Sequence, residues 1–210
     1  MSSRLEELFN DEKTTEKIKR KLPYLFQIAE LESSRAGKIG MEVGSLRERI
    51  LTALLIYKFG EENIETEIPI TEAEIDLRLF GKGISIKTIT GKSLNGVKLI
   101  WTVDAKKAKE FLESYYPKYD ILLAQINWNG EGALFFLPVS SQLSVFKKIG
   151  REEYIKLPKE RTNPRGVEIS HKALSLIIGE KGSRKIAIEW TKREIEFNAF
   201  DRWVDYWRED

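Results

Sequence analysis

Asp76 and Lys87 are the two side chains in this sequence whose types and spacing first suggest chemistry. Asp76 lies in Ile75-Asp76-Leu77-Arg78-Leu79 and Lys87 in Ile84-Ser85-Ile86-Lys87-Thr88, and both runs alternate apolar with polar residues. A period of two marks a half-buried strand. Phe80-Gly81-Lys82-Gly83 lies between them, and Gly first in a two-residue loop suits a type II′ turn. With Gly81-Lys82 as that loop, Leu79 faces Ile84, Arg78 faces Ser85 and Asp76 faces Lys87. Such pairs stand roughly 4.5–5.5 Å apart at Cβ. The carboxylate offers oxygen to a hard cation, and the ammonium can offset negative charge. An ordinary surface ion pair is the alternative.

The wider spelling is an Asp at a strand end, a tight turn, then apolar-x-apolar-Lys ending the next strand. It resembles the PD-(D/E)XK nuclease superfamily. The resemblance implies that Asp76 holds a metal ion and that Lys87 supports the attacking water. There are two departures. Ile75 stands where Pro is common, and Ser85 stands where an Asp or Glu is usual. A second acid must then come from elsewhere. Glu48 has two readings. Ser45-x-x-Glu48 spells a capping box. In this superfamily, though, the helix before the first strands crosses the active-site edge, where Glu48 restores the two-acid count. Glu74, on the strand face of Asp76, competes with it. The backbone carbonyl of Ile86 is a plausible third ligand.

Four stretches sharpen the resemblance: Glu48 in GSLRERI, Asp76 in EAEIDLRL, Lys87 in ISIKT and Met41 in GKIGMEVG. Together they are similar to the ThaI restriction endonucleases of that superfamily. The resemblance implies magnesium-dependent cleavage of double-stranded DNA at CGCG, leaving blunt ends, by a homodimer. Calcium or sodium would fill the metal site without supporting cleavage. It also implies that Glu48, Asp76 and Lys87 are catalytic, with Met41 pushed into the base stack from the minor groove. The fold it implies is α/β, a PD-(D/E)XK nuclease-like mixed β-sheet flanked by helices, with helical N-terminal and C-terminal additions.

Composition bounds the alternatives. A chain of 210 residues with 41% hydrophobic residues can bury one substantial core. We expect one domain: a helical part over 1–40, a catalytic core over 45–150 and a C-terminal part over 151–210. The net charge is only +2, so DNA binding needs a local patch. There is no Cys, and the single His171 excludes His-rich metal sites and most Ser-His mechanisms. No window is apolar enough to span a membrane and no signal-peptide core opens the chain, so a cytoplasmic protein is expected. The charged residues, 32% of the chain and rich in Lys and Glu, give a mildly thermophile-like balance. No GxxxxGK[ST] occurs, which argues against P-loop chemistry.

Helical patterns cover 1–35, with Pro23 expected to start a new helix, and the stretch from Ser45 to a Gly60 C-cap. A strand is expected over 63–70, and others over 99–103, 119–128 and 133–139, with Asn129-Gly130 as a turn. Helices are expected over 104–115, 140–148 and 170–178, then a strand over 186–190. The aromatic tail, 194–207, has the spacing of a packed terminal helix. Its acids argue against base stacking, which usually faces a basic groove. Two loops offer DNA contacts: Arg35 and Lys38 before the first core helix, and Lys92, Ser93, Asn95 and Lys98 past the second strand of the hairpin. A third carries Arg161, Asn163 and Arg165, suited to major-groove readout of guanine. Each loop is equally readable as solvated surface. A repair or junction nuclease of the same fold, or a non-catalytic DNA-binding module, stays open.

Overall fold

The computed structural model describes residues 4–209 except 36–37, 41, 73 and 159–165, with the backbone alone at Arg35 and Ile70. Helices α1 (Glu7–Asn10) and α2 (Glu12–Glu32) lead into a small hairpin, β1 (Ser34–Arg35) and β2 (Lys38–Ile39). Helix α3 (Val43–Phe59) follows, then β3 (Ile64–Glu65), β4 (Leu77–Leu79) and β5 (Lys82–Thr90). Next come β6 (Lys98–Ile100), helix α4 (Ala105–Ser114), β7 (Asp120–Ile126) and β8 (Gly130–Leu137). Helices α5 (Val139–Ile149) and α6 (Arg151–Tyr154) precede β9 (Ile155–Lys156) and β10 (Val167–Ile169). Helix α7 (His171–Gly179), β11 (Arg184–Trp190) and helix α8 (Asp201–Arg208) complete the described chain.

The main sheet has the order β11-β8-β7-β5-β4-β3. Its β5–β7 pair is parallel and its other pairs are antiparallel, so it is the mixed sheet flanked by helices that the sequence implied. The strands β7 and β8 are buried on both faces, as their unbroken apolar runs require. One face packs Ile84, Ile86, Leu122 and Phe136 against Leu22 and Phe26 of α2 and Leu51 and Leu55 of α3. The other packs Leu123, Phe135 and Leu137 with Tyr154 and Leu174, beside the small sheet β6-β10-β9.

Four sequence expectations are corrected. The hairpin turns at Phe80-Gly81, both at positive φ (49° and 74°), which is type I′ geometry rather than II′. Leu77 therefore pairs with Ile84 and Leu79 with Lys82. The slip is two residues, so every side chain keeps its face; a slip of one would have reversed them all. Pro23 does not start a helix. It lies inside the unbroken α2. A mid-helix Pro costs about 3 kcal/mol or more, and here it lies on the buried face beside Ile18, Leu22 and Phe26. The strand expected over 63–70 shrinks to β3, because its partner β4 has only three residues. Finally, the tail expected to be helical over 194–207 is helical only over Asp201–Arg208 and is not packed: Trp203, Tyr206 and Trp207 are exposed. Spacing predicts which face is apolar, while the rest of the chain decides whether anything covers it.

Candidate active site

The unequal lengths of β4 and β5 create the site. β4 pairs only with Lys82–Ile84, so the C-terminal half of β5 has an open edge. Asp76 marks where that edge begins, its N–H donating to the Ile84 carbonyl at 2.9 Å. Its Oδ2 accepts from Ile86 N–H at 2.5 Å, from Lys87 Nζ at 3.1 Å and from Ser85 Oγ at 3.3 Å. Three donors fix the carboxylate through one oxygen and leave Oδ1 for another partner. Lys87 meets Asp76 diagonally rather than face to face, since in the true register Ser85 stands opposite Asp76. A flexible lysine stem spans that diagonal. The N–H and C=O of one strand residue share an edge, so the Ile86 carbonyl faces the same open side as Asp76.

Glu48 approaches this edge from α3. It lies three and seven residues before Leu51 and Leu55, which places it on the face that α3 buries against the sheet. Helix α3 begins at Val43, ahead of Ser45, and residue 42 at its N-cap makes no side-chain cap bond. The capping box is therefore not formed. The Glu48 carboxyl accepts no hydrogen bond from a described residue. Burial first, then the charge of Asp76, push its pKa above the ordinary carboxylate range, while Lys87 and Arg49 oppose the shift. Two acids and one amine thus act on each other across the open edge of β5.

Glu74, the competing acid, lines a narrow cleft on the face of β5 that carries Ser85 and Lys87, together with Lys98, Tyr115 and Lys118. The cleft holds about 20 Å³, room for one water. Burial, and then the Glu74 charge, raise the Tyr115 phenol above its usual range. Glu74 is not among the charges that shift Glu48.

One feature next to the site was not signalled by any pattern in the sequence. Arg47, beside Glu48, is 5% exposed and Glu30 of α2 is 4% exposed. Arg47 Nη2 meets Glu30 Oε1 at 2.5 Å, and Nη1 donates to Thr90 Oγ1, at the end of β5, at 3.2 Å. Glu30 also accepts from the Trp128 indole at 2.6 Å and pairs with Lys192 at 3.2 Å. This buried cluster ties the helix bearing Glu48 to the strand bearing Lys87. Both residues stand in helical runs that read as ordinary charged surface, so only the fold reveals the pair.

The DNA-contact candidates fare unevenly. Lys38, Lys92, Ser93 and Asn95 are exposed. The loop after β5 is anchored by Gln125 Nε2, which donates to the Gly91 and Lys92 carbonyls at 3.2 and 3.1 Å. Met41, Arg161, Asn163, Arg165 and the Arg35 side chain lie outside the described residues. His171 is exposed at the start of α7, whose cap is Ser170.

Comparison with known proteins then decides the family. The model of the family described as "Restriction endonuclease ThaI" matches residues 8–209. The chain belongs to the ThaI restriction endonuclease family. A solved "Restriction endonuclease in complex with substrate DNA" is similar at 58% identity and a TM-score of 0.92, covering 99% of this chain and 100% of that one. No curated protein matches. As a ThaI-family member the chain is a site-specific nuclease, of a kind that generally uses a divalent metal. Among the described residues no three His, Asp or Glu side chains form a metal-binding group. The oxygens near the open edge are the Asp76 and Glu48 carboxyls and the Ile86 carbonyl. These hard oxygens suit magnesium, which takes one or two carboxylates and fills its shell with water and phosphate.

Proposed function

We propose that the chain is a type II restriction endonuclease that hydrolyses double-stranded DNA with magnesium, cutting CGCG to blunt ends as a homodimer. Glu48, Asp76 and the Ile86 carbonyl would hold the metal, and Glu48, Asp76 and Lys87 are the catalytic set. The observation that carries this reading is the Asp76 carboxylate held beside Lys87 at the open edge of β5 in a chain of the ThaI family. When bound, the metal supplies charge that polarises the scissile phosphate and eases deprotonation of water. Asp76, held by three donors on Oδ2, presents its carboxylate without rearrangement. Lys87 orients the attacking water and offsets charge on the phosphate as the new P–O bond forms and the old one breaks. Ser85 contributes a hydroxyl donor and no anion, so the second acid comes from α3. A palindromic target matches a two-fold dimer with one site per strand. Met41, Arg35, Lys38, Lys92, Ser93, Asn95, Arg161, Asn163 and Arg165 are the proposed DNA contacts.

The test is plasmid digestion. With magnesium, discrete fragments ending at CGCG are expected. Structure-dependent nicking would point to a repair enzyme, and no cleavage to a binding module. Asp76→Asn and Lys87→Ala should each abolish cleavage and keep DNA binding in calcium. Residual cleavage within about tenfold of wild type in either would count against the assignment.

A further inference from the structure

Trp101 is a large apolar side chain that no hydrophobic cluster absorbs. It follows β6 and is 62% exposed, and Val103 nearby is 65% exposed. Leaving a Trp in water forfeits the burial that usually justifies its size. Its surroundings say what would cover it. The Lys98 ammonium sits 3.9 Å from the centre of the indole ring. Lys98 and Leu99 line the same cleft as Ser85 and Lys87, so the ring stands one side chain away from the catalytic lysine. Residues 91–118 hold six Lys (92, 98, 106, 107, 109 and 118) against three acids (Asp104, Glu110 and Glu113), a net charge of +3. The cleft itself is lined by three cations, Lys87, Lys98 and Lys118, against one acid, Glu74. An aromatic face among lysines matches a polyanion with apolar surface between its charges. In α8 Arg202 also lies over Trp203, at 4.6 Å, but Asp201, Asp205 and Glu209 outnumber the two arginines there.

We propose that Trp101 and Lys98 form a DNA-backbone contact site at the mouth of the catalytic cleft. The indole face packs on a deoxyribose next to the scissile phosphate, and the Lys98 ammonium and the indole N–H meet the flanking phosphate oxygens. Such a contact positions the duplex and carries no base information. The proposal rests on the nuclease reading for the choice of DNA as ligand, but it makes a separate prediction. It concerns affinity in calcium, where no cleavage is needed.

The experiment measures dissociation constants in calcium for a CGCG duplex and for a duplex of equal length lacking the site, with oligomeric state recorded for each variant. Trp101→Ala should weaken both duplexes by about tenfold and to the same degree. Trp101→Phe, which keeps an aromatic face, should recover most of the loss. Lys98→Gln should weaken both and flatten the dependence of affinity on salt by about one ion. The proposal is overturned if Trp101→Ala binds both duplexes as wild type does, or weakens only the cognate one. It is equally overturned if the variant changes oligomeric state while its DNA affinity per dimer is unchanged, because Trp101 would then face protein. Trp101 is exposed, so a melting temperature equal to wild type confirms that the variants fold. Loss of magnesium-dependent cleavage in the wild type would refute the nuclease reading without touching these binding results.

Discussion

Arg47→Met removes one member of the buried ion pair next to the site. The wild-type pair is closed to water, with side chains 6% and 5% exposed for Arg47 and Glu30. Burial lowers the guanidinium pKa and the Glu30 charge opposes that shift, so each charge depends on the other. Methionine fills similar space, so the loss is electrostatic rather than a cavity. Removing one partner of a buried pair costs roughly 3–5 kcal/mol, because the other charge is left uncompensated. Here Lys192 still approaches Glu30 at 3.2 Å and Trp128 still donates to it, which favours the lower end. About 3 kcal/mol is a large part of the 5–15 kcal/mol typical of a domain, and in a chain of this length it lowers Tm by roughly 6–12 °C. Urea unfolding of Arg47→Met, Glu30→Leu and the double variant measures it. The double variant should lose less than the sum of the singles by about 1–3 kcal/mol. Losing the link to Thr90 should also let α3 shift against β5. Single-turnover cleavage then falls at temperatures where the variant is folded, while affinity for DNA in calcium holds. The reasoning fails if Arg47→Met costs under about 1 kcal/mol, or if the single losses simply add.

Glu48→Gln separates the functional role of that acid from a structural one. A carboxyl whose folded pKa lies above its ordinary value of 4.5 contributes stability at low pH and loses it as pH rises through the folded value. Metal-free Glu48→Gln should therefore melt at or above wild type at pH 7, yet fail to show the rise in Tm expected when magnesium is added to the wild type. Gly132→Ala should destabilise by about 1–3 kcal/mol in urea unfolding, since a Cβ there would lie 2.3 Å from the Gln125 carbonyl and 2.5 Å from the Trp190 indole nitrogen. Trp207→Ser should leave urea stability within about 0.5 kcal/mol, because that ring is 90% exposed; a larger loss would mean the tail is covered in solution.

The hairpin shows how far local pattern reaches. Alternation placed Asp76 and Lys87 on one face, and that survived a two-residue error in the turn because face depends only on parity. The turn type itself depended on Phe80 accepting a positive φ, which few would assign to an aromatic residue. Glu48 enters the proposed site only through family resemblance. Its local spelling favoured a helix cap, and the start of α3 at Val43 removed that option. Apolar periodicity likewise found α3, α4, α5, α7 and the buried strands β7 and β8, yet it joined Pro23 to a break that α2 does not contain.

By itself the sequence determined the strand faces, the side chains proposed to react and the family they spell, because these follow from residue type and short-range period. Only the tertiary structure decided that β4 stops short and opens the edge of β5, that Glu48 meets that edge, and that Glu30 and Arg47 bury their charges together. Each of these depends on contacts between residues far apart in the chain, where no local period links the partners and burial alone sets the strength of their charges.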